Sequence, residues 1–123
     1  MPSKTPSFQE ALQSHIESIK NRDLKTFSSN LTNNKILYTI MQDGSAITTP
    51  KELVSLHKAW FQDKSWVWDA TIVHTVVGED MALAVIRYEY TAKETFSTYL
   101  TYVFKLEQGK WRIIHDQNTA IKD

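Results

Sequence analysis

The chain has 123 residues, with fourteen basic and fourteen acidic side chains that give a formal net charge of zero. A nucleic-acid partner would favour a basic excess, so this composition argues against a protein that binds nucleic acid. The absence of cysteine excludes disulfides, thiolate metal ligands and a cysteine nucleophile.

The length is typical of one compact domain, and we predict a disordered N-terminus over residues 1–7 followed by one domain over residues 8–123. The N-terminal segment is polar and lacks the apolar stretch of a secretory signal. The longest apolar run, MALAVI at residues 81–86, is too short to cross a bilayer. The sequence therefore predicts a cytoplasmic protein without a membrane partner.

Two helices are predicted in the first quarter of the chain. Ser7 and Glu10 have the spacing of a capping box ahead of an apolar pattern with helical period, which predicts a helix over residues 8–21. Asp23 can cap a second, shorter helix. The apolar positions are Phe8, Leu12, Ile16 and Ile19 in the first helix and Leu24, Phe27 and Leu31 in the second.

A short hairpin and a third helix follow. Residues 35–42 are typical of a strand, and the Asp43-Gly44 pair predicts a tight turn into a second short strand. Thr49 as cap and Pro50 at the first helical position predict the start of the third helix. One stripe of that helix is formed by Leu53, Leu56, His57, Trp60 and Phe61.

The second half of the chain is typical of strands. Candidate strands cover residues 67–77, 81–91, 97–106 and 111–118, and the turns between them are short. Strands joined by short turns pair in antiparallel fashion. The order of elements therefore predicts an α+β fold in which a mainly antiparallel sheet packs against three helices.

The turn at Gln108-Gly109 allows the faces of the last two strands to be assigned. If it is a two-residue turn, Tyr102 lies opposite His115 and Leu100 lies opposite Gln117, because paired residues share a face. This register predicts that His115 and Gln117 point inward, toward the helices. The outward face then carries Asp116 and Asn118 together with the mixed surface of Tyr99, Val103 and Ile114.

The pairing deduced from the Gln108-Gly109 turn leaves two points open. Lys105 would face Arg112, which is an unfavourable like-charge pair. For the strand over residues 81–91, one loop length places Ile86 and Tyr88 inside and the other places Arg87 and Glu89 inside. The face of His74 in the preceding strand is likewise undetermined.

Four segments in this order resemble the NTF2-like superfamily, the cystatin-like cone. They are IKNRDLKTFSSNL, QDGSAITTPKELVSLHKAW, VVGEDMALAVIRY and YLTYVFKLEQGKWRIIHDQNT. The resemblance is greatest to the SnoaL-like and DUF4440-type domains, which are related to the association domain of calcium/calmodulin-dependent kinase II. It implies a curved sheet wrapped against three helices, a conical cavity between them, and homodimers formed through the outer sheet face.

The ketosteroid-isomerase-like members of this superfamily use a helix-one tyrosine, an aspartate base on the first strand and a protonated aspartic acid on a later strand. Aligned on Asp23, these positions fall on His15, Thr39 and a site near Thr101. Threonine cannot act as a base near neutral pH, so the resemblance does not carry that mechanism to this chain.

The sequence thus predicts a homodimer whose aromatic, weakly polar cavity binds a small, largely apolar molecule, with isomerase-, cyclase- or dehydratase-type turnover as an open possibility. The competing class is a non-catalytic association domain. The histidines lack the spacing of metal ligands, so neither a metal nor a cofactor is predicted. The candidate acids or bases are His15, His57 and His115, and the candidate ligand contacts are Tyr38, His57, Trp60, Tyr102, His115 and Gln117.

Overall fold

The computed structural model describes residues 7–121, so the predicted disorder of residues 1–6 lies outside the described residues. Ser7 accepts a hydrogen bond from the backbone N–H of Glu10, and the Glu10 carboxylate accepts one from the backbone N–H of Ser7, both at 3.1 Å. This capping box begins the first helix. The three helices are α1 (Phe8–Lys20), α2 (Leu24–Ser29) and α3 (Pro50–Gln62).

The predicted caps of the other two helices are also confirmed. The Asp23 carboxylate accepts from the backbone N–H of Thr26, and the Thr49 hydroxyl accepts from that of Glu52. Each cap satisfies a backbone donor that would otherwise lack a partner, which typically stabilises a helix by about 1 kcal/mol. These local bonds fix where the helices begin and thus which side chains face the sheet.

Six strands form one curved, mixed sheet against which the helices pack, which confirms the predicted α+β fold. In chain order they are β1 (Tyr38–Ile40), β2 (Ala46–Ile47), β3 (Val67–Val77), β4 (Met81–Thr91), β5 (Thr95–Glu107) and β6 (Lys110–Ala120). Their order across the sheet is β2-β1-β6-β5-β4-β3. Only β1 and β6 pair in parallel, and the other neighbouring strands are antiparallel.

The core lies between the inner face of the sheet and the three helices. The core includes Ile86, which is fully buried, and Tyr88, which is almost fully buried. These two side chains therefore lie on the inner face of β4, which the sequence had left open. His74 pairs with Val85 on the opposite face and is exposed. Every layer contributes fully buried apolar side chains, among them Leu12, Phe27, Leu53, Trp66, Phe104 and Ile113.

A β-bulge in the β5–β6 hairpin corrects the predicted register. The tight turn is present, with Gln108 and Gly109 both at positive φ (51° and 78°), and Phe104 pairs with Ile113 as predicted. The next pair joins Val103 to His115, so that Ile114 is an extra residue. A bulge places two residues opposite one and thereby reverses the faces of all later residues in that strand.

Beyond the bulge, Tyr102 pairs with Asp116 and Leu100 pairs with Asn118. The prediction that Tyr102 lies opposite His115 and Leu100 opposite Gln117 is therefore wrong. So is the prediction that Asp116 and Asn118 point outward. Asp116 and Asn118 therefore lie on the inner face, and His115 and Gln117 lie on the outer face. The faces differ from the prediction because Ile114 is an extra residue between the turn and these four residues.

The predicted like-charge pair of Lys105 and Arg112 is present in the structure. The Arg112 guanidinium donates to the backbone oxygen of Ser29 at 3.0 Å and lies 3.8 Å from the Glu107 carboxylate. Lys105 is exposed to solvent. These contacts offset the repulsion, so the pair was not evidence against the register near the turn.

Candidate functional site

A cavity of about 550 Å³ opens between the inner face of the sheet and the helices. This volume lies within the usual range of small-molecule sites. Its deep end is lined by buried side chains, including Leu53, Trp68 and Leu100. Its mouth is lined by exposed residues, among them Asp43 of the β1–β2 turn, Leu56 and Phe96.

Three polar side chains lie in one row across neighbouring strands at the deep end. Thr39 of β1 pairs with Asp116 of β6, and Asp116 pairs in turn with Tyr102 of β5. All three line the cavity and are almost fully buried. Among the residues 7–121, no hydrogen-bond partner is found for Thr39 Oγ1, Tyr102 Oη or Asp116 Oδ1. We call this set the polar row.

Asp116 has the most perturbed carboxyl group of the site. Burial, with 8% of the residue exposed, raises its pKa from 3.8 to about 7, because an apolar surrounding disfavours the charged form. The neighbouring Thr39 hydroxyl favours the carboxylate and opposes this rise in pKa, although it does not complete a hydrogen bond of good geometry. Asp116 can therefore gain or lose a proton near neutral pH.

Tyr102 stays protonated beside it. Burial raises the pKa of Tyr102 well above its usual value of 10, and the nearby Asp116 charge and Tyr88 raise it further. The Tyr102 hydroxyl is therefore a neutral donor near neutral pH. A buried donor without a partner is costly, so the polar row is suited to a ligand oxygen that accepts from Tyr102 and contacts Asp116.

His15 and His57 line the helix side of the cavity and enclose Phe27 between them. The ring of Phe27 stacks on that of His15 at 5.0 Å and on that of His57 at 4.0 Å between centroids. The Asn30 amide nitrogen lies 3.4 Å from Nδ1 of His15. Nδ1 of His57 donates to the backbone oxygen of Leu53 at 2.9 Å, which leaves Nε2 as an acceptor in the neutral ring.

Both histidines are neutral at physiological pH. Burial, and to a smaller extent the nearby His57, lowers the pKa of His15 to about 3. Burial lowers the pKa of His57 to about 4, although its bond to Leu53 opposes this shift. Neither imidazole is thus poised to exchange a proton near pH 7, whereas Asp116 is.

These shifts predict that acid destabilises the protein. The unfolded chain protonates His15 and His57 below about pH 6.5, while the folded state does not, so stability falls as pH decreases through that value. Each histidine contributes about 1.4 kcal/mol per pH unit below it. We expect His15→Gln to flatten the fall by about this amount between pH 6 and pH 5, as measured by urea unfolding at several pH values. An unchanged slope in the variant would contradict the neutral state of His15.

A second polar network holds the side of the cavity near its mouth. The Gln42 amide donates to Thr98 Oγ1 at 2.6 Å and to Tyr88 Oη at 3.2 Å. The Tyr88 hydroxyl donates to Asn118 Oδ1 at 3.2 Å, and the Asn118 amide donates to the backbone oxygen of Ile40. Each of these polar groups has a hydrogen-bond partner within the network, so the network shapes the wall of the cavity. The polar row is the part of the site whose polar atoms lack hydrogen-bond partners.

The structure places some predicted contacts in the cavity and others outside it. His15, His57, Trp60 and Tyr102 line the cavity. Tyr38, His115 and Gln117 are not part of the lining. The bulge turns His115 and Gln117 to the outer face, where the His115 ring stacks on the Tyr38 ring at 6.5 Å. Tyr38 is 46% exposed because it precedes Thr39, and alternation puts the two on opposite faces.

Sequence reasoning missed Asp116, Asn118 and Thr39 as cavity residues. Asp116 and Asn118 were noticed as part of a polar cluster but were assigned to the wrong face. Thr39 was noticed only as a residue that cannot act as a base. Nothing in the sequence marks Ile114 as a bulge, since it continues the apolar run of the strand.

Over residues 7–121, no three His, Asp or Glu side chains converge as metal ligands. No helix in the same range is both long and apolar enough to span a membrane.

The sequence matches the SnoaL-like domain family over residues 9–120, so the chain belongs to that family. No curated protein matches the sequence. The fold is that of the NTF2-like proteins, also called the cystatin-like fold.

Three solved structures share this fold with 13–14% sequence identity. A protein from Thiobacillus denitrificans, assigned to the calcium/calmodulin-dependent protein kinase type II association domains, has 13% identity and a TM-score of 0.82, covering 98% of this chain and 100% of its own. A ketosteroid isomerase-like protein from Erwinia carotovora atroseptica has 13% identity and a TM-score of 0.78, covering 100% of both chains. A protein from Streptomyces avermitilis, assigned to the NTF2-like dehydratases, has 14% identity and a TM-score of 0.77. The alignment covers 92% of this chain and 93% of that protein.

Proposed function

We propose that the protein binds a small, largely apolar molecule in the cavity and transfers a proton on it through Asp116. The observation that supports this most is the polar row, in which a titrating carboxyl lies beside a neutral phenol at the deep end of an apolar cavity. Buried polar groups without partners mark positions where a ligand can supply the missing hydrogen bonds.

The chemistry follows from the protonation states of the two groups. An Asp116 carboxylate can take a proton from a carbon next to a carbonyl group, while the Tyr102 hydroxyl donates a hydrogen bond to the carbonyl oxygen as negative charge develops there. The protonated Asp116 can then return the proton to the same carbon or to another. Isomerisation, cyclisation and dehydration all contain such a step, and relatives assigned to isomerase-like and dehydratase proteins share the fold.

Hydrogen exchange tests the proton transfer without knowledge of the final product. A thermal-shift screen of neutral apolar ketones and alcohols first identifies ligands, and each ketone is then incubated with the protein in D2O. We expect deuterium to enter the carbon next to the carbonyl, as detected by mass spectrometry. The rate should fall at least about 100-fold in Asp116→Asn, because a positioned base contributes about that factor or more. Exchange that is equally fast in the variant would contradict the role of Asp116.

The second candidate function is a non-catalytic association domain, supported by the similarity in fold to a protein assigned to the association domains. Such a domain has no need of a reachable acid or base. Bound ligands without any deuterium exchange would support this candidate.

We further propose that two copies pair through the outer sheet face, because apolar side chains there are accessible. Val76 and Tyr99 are 54% and 39% exposed, and Val103 is half-buried beside them on the same face. Monomeric proteins seldom leave large contiguous apolar patches in water.

The double variant Val103→Lys and Ile114→Lys is expected to be a monomer, because each lysine would place a charge in the apolar contact. Sedimentation velocity measures the change. The matched control is Leu56→Lys, which adds a charge at a 42% exposed residue of α3, on the helix side of the sheet. If the double variant sediments as the wild type does, the interface lies elsewhere.

A further inference from the structure

Four aromatic rings with similar orientation lie along the path from the core to the mouth of the cavity. The rings of Trp60 and Trp66 stack at 4.1 Å between centroids with an angle of 16°. Tyr90 lies 6.0 Å from Trp60 at 27°, and Phe96 lies 5.0 Å from Tyr90 at 29°. We call these four residues the aromatic wall. Trp60, Tyr90 and Phe96 line the cavity, while Trp66 lies behind them.

The aromatic wall is fixed from behind. Trp66 is almost fully buried, and its indole N–H donates to the backbone oxygen of Trp60 at 3.0 Å. The Arg22 guanidinium carbon lies 3.8 Å from the centre of the Trp66 ring, and Arg22 also donates to the backbone oxygens of Asp63 and Trp66. Trp66 covers one face of Trp60, and Trp60 contributes to the lining of the cavity. At the mouth, Phe96 is 45% exposed.

The charged side chains that line the cavity restrict the charge of the ligand. Among residues 7–121, no lysine or arginine lines the cavity, and the ionisable acidic side chains of the lining are Asp43 and Asp116. The two histidines are neutral near pH 7 because burial lowers the pKa of each. An anionic ligand would therefore meet carboxylates without a compensating cation. A cation would have Asp116 as its deep counter-ion, but a carboxyl that is half protonated near pH 7 is a weak one.

We infer that the ligand is a neutral, planar molecule of two or three aromatic or conjugated rings that carries one hydroxyl or carbonyl oxygen. Its rings stack against the aromatic wall, and its oxygen reaches the polar row. This inference rests on the proposed function and adds the class of ligand. Flat rings gain from stacked aromatic contacts beyond the area that they bury, whereas saturated rings of equal size do not.

Calorimetry at pH 7 with four probes tests the inference. The probes are 2-naphthol, decahydro-2-naphthol, 2-naphthoate and 2-naphthylmethylamine, which vary the planarity of the rings or the charge while the two-ring frame is kept. We expect 2-naphthol to bind about 5- to 10-fold more tightly than decahydro-2-naphthol, as the typical gain of one or more aromatic contacts implies. We expect the anion and the cation to bind at least about tenfold more weakly than 2-naphthol.

Variants separate stacking from the polar contact. Trp60→Leu and, at the mouth, Phe96→Leu are expected to reduce the preference for 2-naphthol over the saturated probe. Tyr102→Phe should weaken both alcohols about equally, because it removes the contact to oxygen. The control is Tyr38→Leu, which removes an exposed aromatic ring outside the cavity and should change no affinity.

The outcomes separate this inference from the proposed function. Equal affinity for the flat and the saturated alcohol overturns the role of the aromatic wall and leaves the cavity as a binding site. Tighter binding of the amine or of the carboxylate overturns the neutral class. If neither alcohol binds, the proposed binding function and the inference both fail.

Discussion

Asp116→Asn is expected to be more stable than the wild type at pH 8 and to lose this advantage near pH 4. In the folded state burial raises the pKa of Asp116 from 3.8 to about 7, so at pH 8 the fold holds a buried carboxylate that the unfolded chain would expose to water. One pKa unit corresponds to about 1.4 kcal/mol, which sets an upper bound of about 4 kcal/mol for this cost. Because a buried amide also needs partners, we expect a gain of about 1 to 3 kcal/mol.

The sign of this effect follows from proton linkage. The folded pKa lies above the unfolded one, so the stabilising contribution of the protonated group is complete below about pH 4 and is lost as pH rises through about 7. Urea unfolding followed by tryptophan fluorescence at pH 4, 6 and 8 measures the difference between the variant and the wild type.

The matched control is Asp80→Asn, which changes an exposed carboxyl on the β3–β4 turn and should alter stability by less than about 0.5 kcal/mol at each pH. A gain in Asp116→Asn that is the same at pH 4 and pH 8 would show that the effect does not come from ionisation of the carboxyl. A loss of stability at pH 8 would mean that the carboxylate has a strong partner in the folded state.

The buried carboxyl of Asp116 connects the stability of the protein to the proposed function. A protein that only needed its fold would gain stability at pH 8 from an uncharged residue at position 116, because burial disfavours the carboxylate. A buried group whose ionisation costs free energy is common at sites where proton transfer occurs. Thr39 beside it cannot provide a base, and within residues 7–121 the cavity lining has no carboxyl besides Asp116 and Asp43, which lies at the mouth.

The helices were predictable because their signals are local. Caps such as Ser7 and Thr49 act within three residues, and the apolar period of a helix persists over several turns. The same period placed His57 on the stripe of α3 that lines the cavity. The tight turn at Gln108-Gly109 was also a local signal, because both residues adopt positive φ there.

The inner face of β6 was not predictable from the same kind of reasoning. Side chains alternate with period two, so one extra residue reverses every later position. Ile113 faces inward on the near side of the bulge and Asp116 faces inward beyond it, with Ile114 inserted. The energy that selects this bulge comes from the packing of β6 between β5 and β1, which no stretch of the sequence reports by itself.

Because the bulge reverses the faces of β6, a comparison of Asp116 with its neighbours His115 and Gln117 is the most direct test of the site. For a neutral ligand with one hydroxyl or carbonyl oxygen, Asp116→Ala is expected to reduce affinity at pH 6 by about 1 to 3 kcal/mol, or about 5- to 150-fold, because the protonated carboxyl no longer contacts the oxygen. His115→Ala and Gln117→Ala should leave affinity nearly unchanged, since both side chains lie on the outer face.

Calorimetry of these three variants with the strongest ligand of the thermal-shift screen decides between the two registers. Without the bulge, His115 and Gln117 would face the cavity and their variants would lose affinity, while Asp116→Ala would not. With the bulge, the loss is confined to Asp116 and is accompanied by a similar loss in Tyr102→Phe, because the two side chains are cross-strand partners on the same face. A loss at His115 alone would therefore refute both the inward position of Asp116 and the proton transfer assigned to it.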